Sequence, residues 1–216
     1  MIHHIHLACF RQGERETALA QLLAASNSGA ATADRTASGK PFLRNSQDGV
    51  SGLSYSHVRC ASGNISFVAT APQPTFAIDV EVYPSTAEDQ NFTNSIATVE
   101  DASFIRFLRA QGLNAGTVLW MAKEAALKAN GEVMSDPRNI AISRLPDGSY
   151  HASTAKSGTA PIAPAGIGFF LIETDLIKTR IMLAVAFASE LYQHSEQTVE
   201  FDIHSSNCRV QGLFQG

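Results

Sequence analysis

The sequence predicts an α+β fold of two similar halves, each a strand and a helix followed by antiparallel strands. Three observations carry this. A strand-like start, "IHHIHLACF", runs directly into "RETALAQLLAAS", whose Leu and Ala spacing suits a helix. "APQP" at 71–74 is the clearest breaker in the chain, and it divides the sequence into residues 1–75 and 76–216. Beyond it the same order returns: the strand "FAIDVEVYP", a helical block, then hairpins.

In the first half, residues 27–41 are rich in Ser, Ala, Thr and Gly and read as a loop ending in "GKP". "GLSYSHVRCA" and "NISFVATA" are strands joined by a turn at Ser62-Gly63-Asn64. In the second half Pro84 stops the strand, because proline cannot donate to a ladder. A polar stretch follows, and then "VEDASFIRFLRAQG" and "LWMAKEAALKANG" form the helical block. "NIAISRLPDGSYHAST" is a hairpin around Pro-Asp-Gly. "GIGFFLIETD", "TRIMLAVAFAS" and "TVEFDIH" supply three more strands.

Composition narrows the function classes. With 216 residues, 44% apolar and 17% charged, the chain has the make-up of an ordinary globular protein. A formal charge of −4 argues against a large nucleic-acid footprint. Cys9, Cys60 and Cys208 are an odd, scattered set with no CxxC, which suits a reducing compartment. The start lacks a basic n-region, and the apolar runs fall far short of the roughly 20 residues a membrane helix needs. A soluble cytoplasmic protein without a membrane segment is expected.

Two segments have the residue types of a phosphate-handling site. On the strand "FAIDVEVYP", alternation sends Asp79 and Glu81 to one face and Ile78 and Val80 to the other. Two carboxylates about 7 Å apart on one face repel unless a cation lies between them. On the helix, Trp120, Lys123, Glu124, Leu127 and Lys128 share one stripe, with Ala122, Ala125, Ala126 and Ala129 opposite. Glu124 would complete a Mg²⁺ site with Asp79 and Glu81, and Lys123 and Lys128 would neutralise phosphates. In "LSYSH", Ser56 and His57 point to opposite faces, so they are not a nucleophile pair, and no GxSxG elbow exists. His3, His4 and His6 have no further ligand at metal-site spacing and are read as structural.

"GKPFL", "LSYSH", "AIDVE" and "WMAKEAALKANG", in that order, resemble the 4′-phosphopantetheinyl transferases of the surfactin-synthetase-activating type. The resemblance implies an internal pseudo-dimer of two α+β halves with coenzyme A in the cleft between them. It implies Mg²⁺, or Mn²⁺, on Asp79, Glu81 and Glu124. Lys40, Pro41, Ser56, His57, Lys123 and Lys128 would bind the coenzyme. Residues 1–75 would form the 3′-phosphate side, with Arg11, Arg15 and Arg35 as further candidates, and residues 76–216 the metal and pyrophosphate side. Glu124 and Lys128 would be catalytic, and Glu100, 20 residues before Trp120, a general base. The implied partner is an apo acyl or peptidyl carrier protein, and an internal pseudo-dimer suits a monomer.

Two other readings compete. A non-catalytic module of the same fold would bind coenzyme A or a carrier protein, but Asp79, Glu81, Glu124 and Lys128 are all in place. A metal-dependent nuclease usually carries a lysine two residues after the strand carboxylate, where this chain has Tyr83.

Overall fold

Two sheets are packed face to face; the first carries helix α1 on its outer side and the second carries the other described helices. The structure, a computed structural model, describes residues 2–11, 13–25, 31–44, 49–60, 63–83, 88–132, 136–156, 161–176, 179–188, 198–205 and 208–214. Strand β1 (Ile2–Arg11) leads into helix α1 (Arg15–Ala25), followed by β2 (Thr32–Arg35), β3 (Pro41–Arg44), β4 (Val50–Cys60) and β5 (Gly63–Ala71). Next come β6 (Phe76–Tyr83), the helices α2 (Gln90–Ile96), α3 (Ala102–Ala110) and α4 (Ala115–Asn130), and a short 3-10 turn, Pro137–Asn139. The remaining strands are β7 (Ile140–Arg144), β8 (Tyr150–Thr154), β9 (Ala165–Thr174), β10 (Arg180–Ala188), β11 (Thr198–Ile203) and β12 (Cys208–Gly212).

The first sheet has the order β11-β1-β5-β4-β3-β2 and the second β6-β10-β9-β8-β7, with β12 on β9. All pairings are antiparallel except β1 with β11. The fold is mixed α+β, with four α-helices and two antiparallel-rich sheets among the described residues. None of the described helices is long and apolar enough to cross a membrane. The second sheet opens at Phe76, but β11 returns from the later part of the chain to the first sheet, so a cut at residue 75 does not separate the two sheets.

Strand alternation builds three apolar layers. Ile5, Leu7, Ile65, Phe67, Phe76, Ile78, Leu183 and Val185 meet between the sheets. Phe10, Leu43, Leu53 and Val68 pack with Ala18 and Leu22 of α1. On the far side, Ala77, Met182, Ala184 and Phe169 pack with Phe104, Leu119, Ala122 and Ala126 of α3 and α4. The alanines let α4 lie close on β6 and β10, because a small side chain holds the helix axis near the sheet.

Three elements depart from the expected pattern. The loop predicted over 27–41 contains β2 and the start of β3; all four residues of β2 are exposed, so no apolar alternation marks it. The polar stretch before the helical block holds α2, seven residues capped by the Asp89 side chain, too short for a periodic signal. The five-residue edge strand β12 follows the last expected strand. Ser62 and Pro84 lie outside the described residues.

Candidate active site

β6 stands at the edge of the second sheet, and its open side faces β4 of the first sheet. The backbone N–H groups of Ile78 and Val80 donate to Ser54 Oγ (3.0 Å) and Ser56 Oγ (3.2 Å). The alternate serines of "LSYSH" therefore satisfy the donors of an unpaired sheet edge. Ser56 in turn donates to Asp79 Oδ1 at 2.9 Å. Asp79 and Glu81 leave β6 on the face that α4 covers. Asp79 is buried, and Glu81 is half-buried.

Helix α4 begins at Asn114, whose side chain accepts from Thr117 N (3.1 Å), and ends at Gly131 in the left-handed conformation (φ 76°). There the Gly131 N–H reaches Lys128 O and the Glu132 N–H reaches Leu127 O, so glycine closes the last turn where a Cβ would be strained. The stripe of α4 left partly open is Thr117, Trp120, Glu124 and Lys128. The last two face β6. Lys128 Nζ lies 2.7 Å from Asp79 Oδ1 and 2.9 Å from Glu124 Oε1.

Charge and burial set the character of this group. Burial raises Asp79 above the ordinary carboxylate value, and Glu124 adds to this, although Lys128 and Ser56 pull the other way. Glu81 is pushed up to about 7 by burial, then by repulsion from Asp79 and Glu124. Burial pulls Lys128 down, but Asp79 and Glu124 together outweigh it and the net direction is up. Asp79 and Glu124 thus share one lysine, with Glu81 repelled by both.

A cleft of about 540 Å³ lies along the first sheet and meets this group at Lys128, while Asp79, Glu81 and Glu124 are not among its lining residues. Its walls include Ser56 and His57 of β4, Lys40 and Pro41 before and at the start of β3, and Lys128 of α4. Arg15 and Arg35 also line it, whereas Arg11 does not. Arg15 lies over the Tyr55 ring at 4.3 Å, and Arg35 Nη1 donates to Gly39 O at 2.7 Å. Lys40 Nζ donates to Ala129 O near the end of α4, tying the β2–β3 hairpin to the helix. Burial lowers Lys40 to about 8.

Two expected participants lie elsewhere. Lys123 is fully buried on the other flank of α4, where Nζ donates to Asp101 Oδ2 (2.7 Å), Ile96 O (2.8 Å) and Pro137 O (3.0 Å). Its placement on a phosphate-facing stripe is corrected: all three ammonium hydrogens already have acceptors. Glu100 is held by its own backbone, Thr98 and Lys156, which lower its pKa. That direction is the reverse of what a base working near neutral pH needs. The residue that sequence reasoning missed is Asp101, fully buried, accepting from Thr98 N and Ile142 N as well as Lys123. Its only sequence signal is its place at the head of α3.

Among the described residues no three His, Cys, Asp or Glu side chains converge on one metal position. In the carboxylate group the Lys128 ammonium lies between Asp79 and Glu124 and draws an oxygen of each. Carboxylates are the ligand type that a hard divalent cation takes, but here Asp79 and Glu124 are drawn together by the Lys128 ammonium and Glu81 stands apart from that contact. Compared with known proteins, the chain matches no family model, and no curated protein matches it.

Proposed function

We propose that the protein transfers the 4′-phosphopantetheine arm of coenzyme A to a serine of an apo acyl or peptidyl carrier protein. The serine oxygen bonds to the β-phosphorus and its proton passes to solvent water, the bond from that phosphorus to the bridging oxygen breaks, and 3′,5′-ADP leaves with that oxygen. The observation that carries this reading is the cleft, which runs from Arg15, Arg35, Lys40 and His57 to Lys128, whose ammonium pairs with Asp79 and Glu124 just outside the lining. A ligand with a pyrophosphate and a separate 3′-phosphate suits that charge pattern, and the volume is that of a small-molecule site.

Lys40 and His57 hold the 3′-phosphate end, with Pro41 and Ser56 shaping the wall. Lys128 faces the pyrophosphate, where preorganised positive charge counters what builds on the leaving phosphate. Lys123 acts at a distance, by fixing α4. Asp79, Glu81 and Glu124 would hold Mg²⁺ or Mn²⁺. Such an ion supplies Lewis-acid neutralisation of phosphate charge.

The strand orders favour the pseudo-dimer. In both β1–β5 and β6–β10 the sequence runs first-fifth-fourth-third-second, with a helix after the first strand. Incubation with coenzyme A, Mg²⁺ and a panel of apo-carriers, followed by intact mass, tests the reaction. A carrier that gains one phosphopantetheine supports it. Coenzyme A binding without any mass gain would favour the non-catalytic module.

A further inference from the structure

The chain that leaves β11 is tied to β1 before it crosses to the second sheet. The His204 N–H donates to Leu7 O at 2.9 Å, and its ring shares a hydrogen bond with His6 (Nε2 to Nδ1, 3.0 Å). Ser205 then holds the Cys9 backbone from both sides. Its Oγ accepts from the Cys9 N–H at 2.7 Å and donates to Cys9 O at 3.2 Å. Three residues later β12 begins at Cys208, already paired with β9 of the second sheet.

Cys9 and Cys208 meet where the two sheets face each other. Cys208 stands directly opposite Thr174 in the β12–β9 ladder. Residues so paired send their side chains to one face, with Cβ atoms about 4.5–5.5 Å apart. From that face the Thr174 hydroxyl reaches Cys9 Sγ of the first sheet at 3.6 Å. Both cysteines belong to the inter-sheet core, Cys9 within it and Cys208 at its margin. The two thiols share a hydrogen bond. Cys60, the third thiol, donates to Gly63 O at the end of β4.

From this convergence we propose that Cys9 and Cys208 are a redox pair, which a peroxide closes to a disulfide joining the two sheets. The Cys208 thiol, then Ser205 and Thr174, donate to the Cys9 sulfur and hold it below the ordinary thiol value despite its burial. The same contact holds Cys208 above it. Cys9 is therefore the thiolate, the form that attacks, and Cys208 keeps the proton. Cys9 is only 7% exposed, so its oxidant is small, as hydrogen peroxide is.

The Cys9 sulfur bonds to one peroxide oxygen, the O–O bond breaks, and the departing hydroxide takes a proton from solvent to become water. Cys9 is left as a sulfenic acid. The Cys208 sulfur then bonds to the Cys9 sulfur, and its proton leaves with the sulfenic hydroxyl as a second water. Two thiols give up two electrons, and one hydrogen peroxide is reduced to two waters. The bond staples the β11–β12 strap where it passes between the sheets, at the opposite edge of the first sheet from the β2–β3 hairpin. The inference does not rest on the transferase reading.

The test exposes the reduced, folded protein to a slight excess of hydrogen peroxide, blocks remaining thiols by alkylation, and maps the peptides by mass. The Cys9 and Cys208 peptides should be recovered linked to each other, with Cys60 alkylated, and dithiothreitol should separate them. Closing so long a loop should raise the melting midpoint by about 10 °C, and dithiothreitol should reverse the rise. Cys208→Ser should stop at the Cys9 sulfenic acid, captured with dimedone on unfolding, and its midpoint should not move. Cys9→Ser should leave Cys208 reduced. Recovery of both thiols alkylated in the wild type, a link through Cys60 or between two molecules, or an unchanged midpoint would overturn the pair. Dimedone capture absent from Cys9 in Cys208→Ser would do the same.

Discussion

Lys128 of α4 and Asp79 of β6 meet at 2.7 Å, and the same ammonium is 2.9 Å from Glu124. This contact is what turns a helix face and an edge strand into one site. The helix pair Glu124–Lys128 taken alone is worth only tenths of a kcal/mol. The buried carboxylate of Asp79 changes that, because its charge needs a partner inside the protein. Glu81 is pushed up to about 7 by burial and by the same carboxylates, so the group sets three carboxylates against one ammonium, the charge balance that the proposed divalent cation would need.

Lys128→Met should therefore do two things. If Lys128 neutralises the pyrophosphate as its bond breaks, kcat should fall on the order of 10²-fold or more. The melting curve should also show a loss of roughly 3 kcal/mol at pH 8, because Asp79 is left buried without its counter-ion. That loss should shrink in acid, where Asp79 takes up a proton. Intact turnover at unchanged stability would return Lys128 to surface decoration.

Glu81 makes a pH-dependent prediction. Its folded value of about 7 stands above the unfolded 4.5, so the folded protein holds the extra proton between them. Stability should fall as pH climbs through that window. Glu81→Gln should melt a few degrees above the wild type at pH 8 and match it near pH 4. Mg²⁺ binding near pH 6 should release a proton, seen by calorimetry in two buffers, and Glu81→Gln should not. A pH-independent stability difference would mean that charge is not the cause.

Strand alternation was the most legible feature. From "FAIDVEVYP" alone, Asp79 and Glu81 belong opposite Ile78 and Val80, and the inter-sheet core takes the latter pair. Helix periodicity was weaker evidence. It puts Lys123 next to Glu124, but cannot tell which flank of α4 α3 and the Pro137 turn will cover. Asp101 and His204 were illegible because each acquires its partner only through tertiary packing; His6 and His204 are 198 positions apart. β2 hid because an exposed hairpin needs no apolar alternation.

Lys40 tests the remote end of the cleft. Burial places it at about 8 instead of 10.5, so its cationic form is lost early. Because the unfolded chain keeps that proton longer, stability itself should rise between those values. Coenzyme A affinity should do the reverse and fall as pH passes about 8. Lys40→Met should bind weakly with no such fall, and the gap between variant and wild type should narrow with 3′-dephospho-coenzyme A. Equal losses with both ligands would place Lys40 away from the 3′-phosphate.

Lys123 separates a phosphate-binding role from a positioning one. Its ammonium is fully buried and bridges Asp101, the end of α2 and the Pro137 turn, while Asp101 also holds the middle of β7 through the Ile142 N–H. Breaking one member of a buried pair usually costs 3–5 kcal/mol, because the other charge stays behind. Lys123→Met should thus unfold at a markedly lower temperature. Adding Asp101→Asn should return part of that loss, since the stranded carboxylate is gone. Measured on the fraction still folded at low temperature, KM for coenzyme A should stay near that of the wild type, whereas a phosphate contact would raise it. A raised KM with an unchanged melting curve would restore Lys123 to the cleft and require α4 to be turned from its present seat.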